Sequence, residues 1–171
     1  MAAGRVLVNT GRGKGKSTAA MGTALRALGH GQRVVVFQFM KGAMPSGETG
    51  LLTKLGAVVH RLGTGFSWTK ESWDEDRTLA AKGWEQARTA LMSGDWDLVV
   101  LDEINYVLGY GLLEAEAVAA AIRQRPAKLN VVLTGRGLEP AIAELADTIT
   151  EMVPLKHAFD AGIKATKGVE F

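Results

Sequence analysis

Two stretches carry residues whose types and spacing can do chemistry. The first is NTGRGKGKSTAA, residues 9–20, where Gly11, Gly13 and Gly15 alternate with Arg12 and Lys14 and lead into Lys16, Ser17 and Thr18. Glycines let a backbone curl until several N–H groups face one anion, a curvature that Cβ atoms obstruct. Lys16 can then reach phosphate oxygens and Ser17 can offer its hydroxyl to Mg²⁺ (or Mn²⁺), while a helix starting here directs the positive end of its dipole to the same point. Against the pattern G-x-x-x-x-G-K-[ST], Thr10 stands where the first glycine belongs. The second stretch is Asp102-Glu103, closing LVVLDE at 98–103. Carboxylates at the C-terminal end of a buried parallel strand face the crevice where nucleotides bind, and hold Mg²⁺ directly or through water.

A glycine turn with solvated lysines and an acidic strand cap are the plainer alternatives. A strand before the loop, a helix after it and G-K-S in place favour phosphate binding. The two stretches specify a Mg²⁺–nucleotide site and leave the reaction open. In a hydrolase Glu103 would orient water; in a kinase another group would bring the acceptor hydroxyl. Neither role follows from spacing.

Positioning these groups takes an alternating chain. Arg5–Asn9 is a short apolar run, and from Lys16 the period becomes helical, with Met21, Ala24, Leu25 and Leu28 on one face. Gly29 and Gly31 stop that helix, and RVVVFQF, 33–39, reads as a strand buried on both sides. A short helix over 48–55 and a weak strand over 57–62 follow, then a longer helix over 74–92 with Gly94 as its stop. After LVVLDE comes a helical region to Arg125, closed by Pro126. Strands are expected at 130–133 and 148–152, separated by a helix over 139–146. The order predicts a single α/β domain over 1–171, a mainly parallel sheet with helices on both faces. GAMPSGETG, 42–50, reads as a surface loop, and the tail KHAFDAGIKATKGVEF has too many turn residues for one clean helix.

The 171 residues, 47% hydrophobic and 22% charged, suffice for one domain with a buried core. Net charge is only +2, despite a pI near 9.0, so no general field for polyanions exists and nucleic acid is not implied. The chain has no cysteine, which removes thiol nucleophiles and cysteine metal sites and suits a cytoplasmic setting. No apolar run approaches a membrane span. His30, His60 and His157 are too far apart in sequence to suggest a ligand set; His30 is expected in a helix-ending turn and His60 in a strand.

The order of TGRGKGKSTAAMGTALRALGHG, VVVFQFMKG, SGE, GTGFSW, LVVLDEINY, LTGRG and KHAFDAGIKATKGVEF resembles that of the P-loop ATP:corrinoid adenosyltransferases over nearly the whole chain. In that family TGxGKGK without the first Walker A glycine is the ordinary form of the loop, which accounts for Thr10. The resemblance implies a three-layer, RecA-like P-loop domain, a homodimer, and transfer of the 5′-deoxyadenosyl group of ATP to a Co(I) corrinoid with release of triphosphate. Cob(I)alamin, cobinamide or cob(I)yrinic acid a,c-diamide would be the acceptor, with a flavoprotein as a reasonable reductant. It implies that residues 11–18 cradle the triphosphate, that Asp102 and Glu103 are the Mg²⁺-associated carboxylates with Glu103 the more direct, and that Phe66 and Trp68 lie beside the lower face of the corrin. There they would keep the lower axial ligand off cobalt and ease reduction to Co(I). Arg136 of LTGRG is a candidate phosphate contact, and His157 a candidate substrate contact without an assigned role. Related enzymes often carry an N-terminal extension over the corrinoid, where only MAAG precedes the first strand here; weaker corrinoid binding, more than weaker ATP binding, is the expectation.

Overall fold

A computed structural model describes residues 3–42, 46–63 and 73–170. Six strands form one sheet in the order β3-β2-β4-β5-β1-β6: β1 Val6–Thr10, β2 Val34–Gln38, β3 Val58–Arg61, β4 Leu98–Asp102, β5 Asn130–Thr134 and β6 Thr148–Glu151. All five pairings are parallel. The sequence expectation of a mainly parallel α/β sheet is met in full. β2 and β4 are buried along their whole length, because parallel strands are covered by helices on both faces and need no polar side.

Helix α1, Lys16–Gly29, turns Ala20, Met21, Ala24 and Ala27 inward at helical spacing. With Leu52 of α2, Gly47–Lys54, these residues pack on Val34, Val36, Leu98, Val100 and Val132 of one sheet face. The opposite face is covered by α3, Asp74–Ser93, α4, Ile104–Gly109, α5, Ala115–Gln124, and α6, Pro140–Leu145. Trp84, Leu91, Ile104, Ile122 and Ile142 are buried there. Three acidic residues open α3 and Gly94 closes it in the left-handed region at φ 74°, each where the helix dipole and the C-terminal turn favour it.

Two expectations need correction. The helical region leading to Arg125 is two helices: Tyr110 caps α4 and Gly111, at φ 64°, turns the chain before α5. The loop expected to run from Gly42 to Gly50 is shorter at its far end, since α2 begins at Gly47 behind Ser46. The tail after β6 is built of turns with one short 3-10 segment, Phe159–Ala161, as its turn residues dictate. Among the described residues no helix is long and apolar enough to cross a membrane.

Candidate active site

The glycine loop leaves β1 and enters α1 at the C-terminal edge of the sheet, where the crevices of parallel α/β folds open. Its shape depends on a distant neighbour. Gly13 N–H donates to the Met152 carbonyl at 2.6 Å, just beyond β6. A Cβ on Gly11 would stand 2.5 Å from that oxygen, and one on Gly13 2.7 Å from it. Gly11 and Gly15 also sit at φ 95° and 112°, in the region that L side chains avoid. Glycine is therefore required here for backbone conformation and for close approach together. The Lys16 ammonium donates to the carbonyls of Gly11 at 2.8 Å and Gly13 at 2.6 Å. Burial and the nearby Arg136 guanidinium lower its pKa, against an opposing pull from Glu103.

β5 lies between β1 and β4, so the loop and the carboxylates are held on strands separated by a single strand. Asp102 is completely buried. One of its oxygens accepts from Thr134 Oγ1 at 2.8 Å, and the other from Gln38 Nε2 at 3.0 Å. Lys41 Nζ stands 3.6 Å from the second oxygen and 3.9 Å from Glu48. Glu103 has φ 66°, the only positive value at a non-glycine residue among those described. Its N–H donates to Thr134 Oγ1 at 2.8 Å. Burial and the neighbouring Asp102 carboxylate push the Glu103 pKa up to about 7, against the opposing influence of Lys41 and Lys16.

A cavity of about 320 Å³ brings these elements together. Of the residues expected to hold phosphate, residues 12–18 and Arg136 line it together with Glu103; Gly11 does not, and packs against Glu151 and Met152 at the end of β6. Asp102 does not line it and contacts the cavity only through its neighbours. His157 does line it, while His30 caps α1 and His60 stacks on Phe37 at 4.8 Å in β3. Phe66 and Trp68 fall outside the described residues.

Lys41, Thr134 and Tyr106 line the cavity without having been singled out. The available signal was polarity at strand ends. Thr134 terminates an apolar run, Gln38 interrupts one, and Lys41 directly follows the continuation of that one through Phe39 and Met40. Tyr106 is backed by Tyr110, with ring centres 6.4 Å apart, and Tyr110 by Trp73 at 5.1 Å. The Tyr106 phenol is shifted up by burial, which Arg136 opposes. Lys14 pairs with Glu170 of the tail at 3.7 Å, and both line the cavity.

This arrangement suits a polyanion with hard-oxygen chemistry beside it, since the glycine loop, the cations Lys16, Lys41 and Arg136, the Ser17 hydroxyl and the Glu103 carboxylate all line one cavity. By fold it is similar to the flagellar accessory protein FlaH from Methanocaldococcus jannaschii, with a TM-score of 0.60 over 88% of this chain and 72% of that one at 13% identity. Sequence relatives are much nearer. The chain is 49% identical over 170 residues to a corrinoid adenosyltransferase of Pseudomonas aeruginosa, covering 98% of this chain and 84% of that one. It is 45% identical over 168 residues to the corrinoid adenosyltransferase of Escherichia coli K12, covering 98% and 86%. Residues 2–171 match the family ATP:corrinoid adenosyltransferase BtuR/CobO/CobP. With its glycine loop, Lys16 and Glu103 gathered on one cavity, the chain belongs to the ATP:corrinoid adenosyltransferases.

Proposed function

We propose that this chain transfers the 5′-deoxyadenosyl group of ATP to the Co(I) centre of a corrinoid, and that its glycine loop holds the leaving triphosphate. Supporting this is the gathering of the glycine loop, Lys16, Lys41 and Arg136 on one cavity in a member of this family. The electron pair of Co(I) forms the bond to C5′, the C5′–O5′ bond breaks, and the triphosphate leaves with that bond's electrons; cobalt ends as Co(III). Co(I) is already a strong nucleophile, so the protein needs no serine, cysteine or histidine to activate one. Its work is alignment and charge neutralisation. Alignment of well-oriented reactants is worth roughly 7–11 kcal/mol at most. Preorganised donors aimed at the growing negative charge of the leaving group add to it, because they do not have to reorganise during the reaction.

The Ser17 hydroxyl and Glu103 carboxylate are hard oxygen donors on the same cavity, which suits Mg²⁺ or Mn²⁺. Glu103 is also a half-buried carboxylate beside a fully buried one, a setting that a divalent cation relieves. Such an ion, when bound, supplies positive charge to the triphosphate oxygens. Phe66 and Trp68 are proposed to lie beside the corrin, with cob(I)alamin, cobinamide or cob(I)yrinic acid a,c-diamide as acceptor. A homodimer served by a flavoprotein reductant completes the reading.

The test is anaerobic: protein, MgATP and a Co(I) corrinoid, followed by absorbance for a light-sensitive Co–C product and by chromatography for triphosphate. One triphosphate per alkylated cobalt is expected. Orthophosphate without cobalt alkylation would overturn the assignment.

A further inference from the structure

Glu103 is held in a conformation its residue type avoids, and the contacts that hold it there come from another strand. A single hydroxyl on β5, Thr134 Oγ1, has one hydrogen and accepts through its lone pairs. Both Asp102 oxygens act as acceptors, so the hydroxyl hydrogen is committed to Asp102 Oδ1 at 2.8 Å. A lone pair is thereby directed at the Glu103 N–H, also at 2.8 Å. Asp102 is fixed in turn by Gln38 from β2 and is wholly buried, as is Thr134. Glu103, at φ 66°, is the residue where the chain leaves β4 and enters α4, and its side chain lines the phosphate cavity.

We propose that Thr134 is a positioning residue. Through the polar chain Gln38–Asp102–Thr134 it holds the Glu103 backbone in the left-handed region, and so aims the Glu103 carboxylate into the cavity. Asp102 then serves as the buried anchor of this clamp. An αL conformation at a non-glycine residue persists only where its surroundings over-determine it. With valine at 134 the shape is kept and the hydroxyl lost. The Glu103 N–H then has no acceptor on β5, Asp102 Oδ1 loses its donor, and residue 103 is free to relax toward ordinary φ. With serine the hydroxyl is kept and only a methyl group lost.

The inference rests on the reading of Glu103 as a metal–triphosphate group, and the experiment separates the two. Mn²⁺ binding in the presence of ATP is measured by electron paramagnetic resonance for the wild type, Thr134→Val, Thr134→Ser, Glu103→Ala and the Glu103→Ala/Thr134→Val pair. Exchange of the Glu103 amide is followed by NMR in the first three. Thr134→Val is expected to lose protection of the Glu103 amide and to weaken Mn²⁺ binding tenfold or more, about 1.4 kcal/mol. Thr134→Ser should retain both. In the Glu103→Ala background the valine should add nothing further, since residues acting through one group are not additive. Should Thr134→Val fail to fold, Thr134→Ala is read with the same controls. Lost amide protection with Mn²⁺ affinity unchanged, or an undiminished effect of valine in the Glu103→Ala background, would overturn the positioning role while leaving the metal reading intact. Unchanged Mn²⁺ affinity in Glu103→Ala alone would overturn the metal reading, and the positioning role with it.

Discussion

Replacing Gly13 by alanine tests whether the phosphate loop is wedged against the exit of β6. The added Cβ would stand 2.7 Å from the Met152 carbonyl oxygen, 2.9 Å from its carbon and 3.2 Å from Pro154 N. All three are backbone atoms and cannot swing aside as a side chain can. Because φ at Gly13 is not positive, the penalty is packing rather than conformation. Relief requires the loop to slide off β6, which stretches the 2.6 Å hydrogen bond from Gly13 N–H to Met152. The lost bond is worth about 0.5–1.5 kcal/mol and the overpacking about 1–3 kcal/mol, roughly 2–4 kcal/mol together. For a chain of this length that corresponds to a melting point lower by about 5–15 °C. If the loop moves to relieve the clash, its amides leave the phosphate, and ATP affinity falls by roughly 30-fold or more. Gly22→Ala in α1, where a Cβ meets nothing within 4 Å, is the control and should stabilise by about 0.5–1 kcal/mol. Thermal melts with and without MgATP, joined to calorimetric titration, read both quantities. A Gly13→Ala protein that melts with the wild type and binds ATP equally well would refute the reasoning.

Lys16→Met removes an ammonium that grips two loop carbonyls; ATP affinity should fall roughly 10- to 100-fold, with the circular dichroism spectrum unchanged, and titration showing wild-type affinity would contradict this. Acid stability is expected to depend on Asp97 and Asp147, whose carboxylates accept the N–H groups of Arg33 at 2.9 Å and Val6 at 2.8 Å. Those backbone bonds hold both carboxyls below their ordinary 3.8. A carboxyl lowered by folding stabilises above its unfolded value and loses that contribution as pH falls through the folded one. The wild-type melting point should therefore drop below about pH 3.8, and the Asp97→Asn/Asp147→Asn protein should be weaker at neutrality with a flatter acid limb; parallel curves would argue against it. For Trp68→Ala, turnover should suffer more when Co(II) must be reduced on the enzyme than when Co(I) is supplied. Equal loss in both assays would remove the proposed role beside the corrin.

Much of the fold could be read from local pattern. β1, β2 and β4 are continuous apolar runs, and α1 and α3 carry helical periodicity with glycine stops. The break between α4 and α5 was also written, in Gly109-Tyr110-Gly111, but Leu112 and Leu113 after it carry on the apolar spacing and conceal the turn. The glycine loop and the acidic pair were legible because each is compact in sequence. The clamp around Asp102 was not, since Gln38, Asp102 and Thr134 meet only once β2, β4 and β5 are neighbours, and strand order leaves no periodic trace. For the same reason Asp102 looks equivalent to Glu103 in sequence. In the folded protein one is enclosed by partners and the other faces the cavity.

The contact of Gly11 and Gly13 with Met152 bears on the order in which the protein becomes competent. The loop follows β1, whereas the backbone it rests on follows β6, the strand that comes last along the sheet's chain order. Until β6 docks beside β1, the glycines have their freedom without the surface that shapes them. Contacts this distant in sequence form late in folding relative to local helices. The loop is thus finished only when the sheet is, and nucleotide capture reports a completed sheet rather than a completed loop.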